Sequence, residues 1–283
     1  MLYLSLPAVY TLELTSACNN RCPGCSNVYA EDRPPVLQSA RDWGDLLADV
    51  LPEAVQVRLS GGEPTLHPEF FAILSYVVSS GANVTIFTNG RWHNPIRFVA
   101  SLHEWRDAVG LLVSLHGATA ASHESFTKVP GSFQETIDNV RLVSENHMSV
   151  MLSTIITHHS WNEVQAVVDL AQQLGVQGVA FNRYLGASLP GIEPTPDEMR
   201  TALQTVQDLP ATDVRAKYGI GIPQCFALNN SEGCLAGVAY ATIDPWGNVR
   251  PCNHSPTIIG SLHEHTMYEL WHSDKMNAWR ALM

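Results

Sequence analysis

Three cysteines, Cys18, Cys22 and Cys25, fall at the spacing C-x3-C-x2-C directly after the apolar run Val9 to Leu14. Thiolates held this closely can ligate three irons of a cubic [4Fe–4S] cluster and leave the fourth iron open to a small-molecule ligand. A structural zinc ion asks for four ligands, whereas this stretch offers three, with no nearby histidine at a zinc spacing. A redox carrier would close its cluster with a fourth protein ligand, so the missing one points to coordination by a substrate-like molecule.

Other chemistry-bearing residues follow apolar runs. Gly61-Gly62-Glu63-Pro64 comes next to such a run, where glycines permit close backbone approach to a ligand and Glu63 supplies an acceptor. Thr88, Asn89, Ser114 and Asn182 are small polar residues that end further runs, and turn formation or helix capping would explain each nearly as well. A second, widely spaced trio is Cys225, Cys234 and Cys252, with His254 close behind the last. His158-His159 and the pair His263 and His265 lack the i, i+4 spacing of a zinc pair and read as solvated loop histidines.

To bring these positions together the chain must supply regular elements, and short β-rich runs do alternate with helical periodicity. Strands are expected over 9–14, 55–59, 83–87, 110–115, 150–156 and 178–181, with helices within 37–50, 69–79, 95–105, 133–146 and 162–174. Six βα repeats imply an α/β fold around a parallel sheet, in which functional groups collect on the loops after the strands. The Pro/Gly-rich stretch 190–196 breaks the pattern. Beyond it come a helix over 196–209, a hairpin turn at Asp244-Pro245-Trp246-Gly247 and one amphipathic helix over 267–282.

The cysteine loop, with Pro23 and Gly24 inside it, followed by Gly61-Gly62-Glu63-Pro64, resembles the radical S-adenosylmethionine (SAM) family. That resemblance implies a partial (β/α)6 TIM-type barrel over 1–190, with the amine and carboxylate of SAM chelating the open iron and the Gly61–Pro64 segment contacting the methionyl amine. Thr88, Asn89, Ser114 and Asn182 would then face the ribose and carboxylate of SAM. Gly233 to Gly237 and Ile243 to Cys252 resemble the SPASM extension or its shortened Twitch form. The implied second unit is a small Twitch-like iron–sulfur subdomain over 191–283, its auxiliary [4Fe–4S] cluster held by Cys225, Cys234 and Cys252. No cysteine follows Cys252, so one auxiliary cluster is the most expected there.

The family reading implies that the reduced N-terminal cluster passes an electron to SAM. The resulting 5′-deoxyadenosyl radical takes hydrogen from an unreactive substrate carbon. The expected substrate is a ribosomally made peptide, oxidised or cross-linked. A small-molecule dehydrogenase or cofactor-biosynthesis enzyme is the alternative, and a non-catalytic iron–sulfur electron carrier the remaining one. Flavodoxin or ferredoxin is the expected reductant.

The 283 residues carry a net charge of −11, which disfavours nucleic acid as a partner. No apolar run approaches the roughly 20 residues that cross a bilayer, and the N-terminus lacks an export signal, so a cytoplasmic protein without membrane attachment is expected.

Overall fold

The computed structural model describes residues 3–25, 27, 38–185, 188–210, 214–218 and 235–282, so Cys225 and Cys234 lie outside the described residues. Six strands alternate with helices: β1 (Val9–Thr15), α1 (Ala40–Leu47), β2 (Gln56–Gly61), α2 (Phe70–Ser79), β3 (Asn83–Thr88), α3 (Pro95–Leu102), β4 (Val109–Ser114), α4 (Ala120–Thr127), α5 (Ser132–Glu145), β5 (Ser149–Ile156), α6 (Val164–Gln173) and β6 (Gly178–Arg183). The remainder comprises α7 (Pro196–Asp208), β7 (Arg215–Tyr218), β8 (Tyr240–Ile243), β9 (Asn248–Arg250), β10 (Gly260–Ser261), α8 (Met267–Trp271) and α9 (Asp274–Arg280).

Among the described residues these strands form one sheet in the order β10-β9-β8-β1-β2-β3-β4-β5-β6-β7. Strands β1 to β7 are parallel to their neighbours, β8 joins the free side of β1 in parallel, and β9 and β10 return antiparallel. The sheet therefore continues from the barrel strands into the C-terminal segment.

Strand alternation sorts the side chains into two faces. Val57, Leu59, Val84, Ile86, Leu111, Val113, Val150 and Leu152 are buried and cluster with Ile73, Leu74, Val99, Val140 and Val167 from the helices. Their neighbours in sequence share the opposite face: the register aligns Thr11, Arg58, Thr85, Gly110 and Ser149 across five strands. The inner wall is thus largely polar, unlike the packed interior of a closed eight-stranded barrel.

Helix starts are built from local hydrogen bonds. Ser39 with Asp42, Thr119 with Ser122, Thr195 with Glu198 and Thr266 with Glu269 each form a reciprocal capping box. Strands β7 and β10 lie outside the expected runs, and two helices depart from expectation. Helix α4 arises without an apolar stripe, because the Thr119 box starts it and His123 and Phe126 are buried. The terminal segment is two helices, not one, because the Ser273 hydroxyl accepts from the Met276 amide and starts a second helix.

Candidate active site

The cysteine loop leaves the C-terminal end of β1, and Cys18, Cys22 and Cys25 are half-buried thiols there. The Asn20 amide donates to Cys18 Sγ at 3.4 Å, and the Asn89 side-chain amide approaches the same sulfur at 3.8 Å. At Gly24 a side chain has no room, since a Cβ would stand 1.9 Å from the Tyr184 ring. Tyr184 follows β6, so the loop is pinned against the far side of the barrel mouth.

The end of β2 is pressed into this loop from below. Gly62 donates to the Thr15 carbonyl at 2.6 Å and Glu63 to the Ala17 carbonyl at 2.8 Å. Gly61 has φ +129°, and Cβ atoms at Gly61 and Gly62 would lie 2.3 Å and 2.2 Å from the carbonyl oxygens of Thr15 and Ala17. Only glycines allow the two backbones to meet so closely.

Glu63 is fully buried, and its carboxylate ties the ends of β2 and β3 together. One oxygen accepts from the hydroxyls of Thr65 at 2.7 Å and Thr88 at 2.8 Å, and the other from the Asn89 amide at 2.7 Å. Burial raises its pKa against the pull of these bonds. The Thr88 hydroxyl also receives the Trp92 indole N–H at 3.0 Å. Asn89 turns its side chain back to the cysteine loop, donating to Asn19 Oδ1 at 2.6 Å. Arg91 continues the clamp, donating to the Asn19 carbonyl and to Asn20 Oδ1, each at 2.8 Å, while pairing with Glu135 at 2.7 Å. Glu63, Thr88 and Asn89 are thus gathered beside the thiols, engaged mainly with protein. Asn19, Asn20 and Arg91 were not anticipated, although Arg91 follows Thr88-Asn89-Gly90 directly.

Ser114 and Asn182 occupy the inner wall several strands away. Register places Ser114 beside Ser153, and Asn182 donates to Ser153 Oγ at 3.0 Å, making a half-buried polar row. Ser153 could have been found from the alternation of β5. Behind this row His116 and His123 are buried, each Nδ1 accepting a backbone amide, at 3.3 Å from Ile155 and 3.1 Å from His116 respectively. Burial first, then the neighbouring charge, pushes their pKa values down to about 3 and about 4, so both are neutral imidazoles at physiological pH. A cavity of about 680 Å³ adjoins the mouth, lined by residues that include His158, Arg183, Tyr184, Leu189 and Met199.

At the other end of the wall stands Cys252, a half-buried thiol after β9. Tyr240, at the start of β8, directs its hydroxyl to Cys252 Sγ at 3.1 Å and Asn253 Oδ1 at 2.8 Å. Arg250 is buried, pairs with Glu13 of β1, and donates to the carbonyls of Asn253 at 3.2 Å and Ser255 at 2.8 Å. The imidazole of His254 is exposed, while its amide donates to Cys252 Sγ at 3.4 Å. His158 pairs with Glu198 at 2.9 Å.

Residues 12–171 of this chain match the model of the radical SAM superfamily, and residues 234–283 that of SPASM, an iron–sulfur cluster-binding domain. The chain belongs to the radical SAM superfamily. It is 24% identical over 295 residues to the AdoMet-dependent heme synthase of Methanosarcina barkeri, covering 94% of this chain and 82% of that one. To the PqqA peptide cyclase of Methylorubrum extorquens it is 27% identical over 289 residues, covering 94% and 72%. The crystal structure of Streptococcus suis SuiB bound to S-adenosylmethionine shares its fold, with a TM-score of 0.81, 17% identity and coverage of 98% of this chain and 68% of SuiB.

Its cofactors are accordingly SAM with a [4Fe–4S] cluster, and an iron–sulfur cluster in the SPASM segment. The residues present fit the first of these by donor chemistry: three thiols on one short loop, one sulfur already receiving an N–H bond. Among the described residues no three His, Cys, Asp or Glu side chains gather closely enough to hold a metal ion as they stand. No helix among them is long and apolar enough to cross a membrane.

Proposed function

We propose that Cys18, Cys22 and Cys25 hold the [4Fe–4S] cluster that works with SAM, that Cys225, Cys234 and Cys252 hold one auxiliary [4Fe–4S] cluster, and that the enzyme oxidises or cross-links a ribosomally made peptide. The observation that carries this reading is a single polar wall with the cysteine loop at one end and Cys252 at the other. When bound, the cluster and SAM supply reductive cleavage of the sulfonium and hydrogen abstraction from an unactivated carbon.

The chain's own residues would serve that chemistry in distinct ways. Gly61 and Gly62 set the backbone beside the loop, and Pro64 starts the turn that follows. Glu63, Thr88 and Asn89 hold the loop's shape from within the buried network. Ser114, Ser153 and Asn182 offer hydrogen bonds to the ribose and carboxylate of SAM from the half-buried wall. Residues 1–190 would form the SAM-binding barrel and 191–283 the auxiliary-cluster unit.

A peptide substrate is favoured by the long polar wall, by the cavity beside Tyr184, and by similarity to a peptide cyclase. Similarity to the heme synthase favours the second reading, a small molecule. A cytoplasmic site of action with flavodoxin or ferredoxin as reductant completes the proposal, and the net charge of −11 argues against nucleic acid.

The test is anaerobic and compares the native chain with variants in which each cysteine trio is replaced by alanine. About eight irons should fall to about four in either variant, and 5′-deoxyadenosine formation from SAM and dithionite should vanish with Cys18, Cys22 and Cys25. About four irons in the native chain, lost only with the first trio, would remove the auxiliary cluster, and unchanged iron in the second variant would show that Cys225, Cys234 and Cys252 do not hold it. Mass analysis of candidate precursor peptides, with loss of hydrogen as the readout, separates peptide from small-molecule chemistry.

A further inference from the structure

We propose that Tyr240 is a positioning residue for the auxiliary cluster, donating its phenolic hydrogen to the Cys252 sulfur and thereby raising that cluster's reduction potential. The inference rests on Cys252 being a ligand of that cluster. The phenol has one hydrogen and two acceptors within reach, Cys252 Sγ at 3.1 Å and Asn253 Oδ1 at 2.8 Å. Bound to iron, the sulfur is a thiolate, and charge-assisted bonds outcompete neutral ones. The hydrogen therefore goes to sulfur, and the Asn253 amide N–H, 3.3 Å from the phenolic oxygen, takes up its lone pair.

Two further features strengthen the donor. Tyr240 is only 5% exposed, so water does not compete for the bond. The Arg58 guanidinium lies 5.6 Å from the centre of its ring and 5.9 Å from that of Phe87, and Arg58 makes no ion pair among the described residues. A cation over the ring draws electron density from the phenol. Hydrogen bonds to ligand sulfur are a recognised lever on cluster potential, because they stabilise the more negative, reduced state.

The experiment is a redox titration of the anaerobically reconstituted full chain, followed by electron paramagnetic resonance, with iron counted in parallel. Tyr240→Phe should keep its iron and move the auxiliary midpoint to more negative potential, leaving the N-terminal cluster's midpoint in place. A 3-fluorotyrosine at position 240, a stronger donor of nearly the same size, should move it the other way. An unchanged midpoint in both overturns the proposal. Should Tyr240→Phe shed iron, the fluorotyrosine form decides alone. Full iron in Cys252→Ala would instead overturn the ligand reading, and this proposal with it.

Discussion

Glu63 shows how a residue beside a reactive loop can work by holding its neighbours. Its carboxylate accepts from Thr65, Thr88 and Asn89 with no exposure to water. Glu63→Ala leaves those buried donors without a partner, at a cost of about 3 kcal/mol; urea unfolding should show a lower midpoint with an unchanged slope. Glu13 carries a pH dependence. Burial, outweighing Arg250, pushes its pKa from 4.5 up to about 7. The folded state then holds a proton that the unfolded chain releases, so stability from this group is complete below about pH 4.5 and is lost as pH rises to about 7. Each pKa unit corresponds to about 1.4 kcal/mol. Urea midpoints of the apoprotein should fall across that window, and Glu13→Gln should flatten the fall; an identical slope in the variant would show that Glu13 is not its source.

At the scale of elements, the contact of β2 with the cysteine loop depends on missing side chains. Gly62→Ala puts a Cβ 2.2 Å from the Ala17 carbonyl oxygen, so the strand end must withdraw from the loop. Iron in the N-terminal cluster should drop while the auxiliary cluster persists, a split visible in the anaerobic iron count. Gly44 provides the contrast. It lies within α1, and its added Cβ would meet only the Tyr76 ring at 3.7 Å, an ordinary contact. Gly44→Ala should therefore stabilise by about 0.5–1 kcal/mol, read as a higher melting temperature with unchanged iron.

For the whole molecule, the ties between barrel and C-terminal segment decide how it unfolds. Strand β8 pairs along β1, Arg250 meets Glu13 in the interior, and the buried Trp271 donates to the Leu4 carbonyl at 2.7 Å. Removing Arg250 alone leaves Glu13 and the Asn253 and Ser255 carbonyls buried without their donor, at a cost of about 3–5 kcal/mol. The double change Glu13→Gln with Arg250→Met should recover much of this loss. With such ties the segment cannot peel away unaided. Fluorescence and circular dichroism should report one coincident urea transition, whereas two separated transitions would show the segment unfolding by itself.

Much of this arrangement was legible in the order of residues. Cysteine spacing, the Gly61–Pro64 motif and the alternation of apolar runs depend on local geometry, so the six βα repeats and the hairpin near Asp244 follow from sequence, as does radical SAM membership. Local patterns failed where the cause was distant or small. Helix α4 owes its existence to one capping box and a buried face, and Ser273 divides the terminal helix by a single hydrogen bond. The tertiary structure alone decided that β8 extends the barrel sheet, that Glu13 meets Arg250 across 237 residues, and that Tyr240 reaches Cys252. These contacts arise from closing long loops around a shared core, and no periodicity in the chain encodes which distant side chains that closure will bring together.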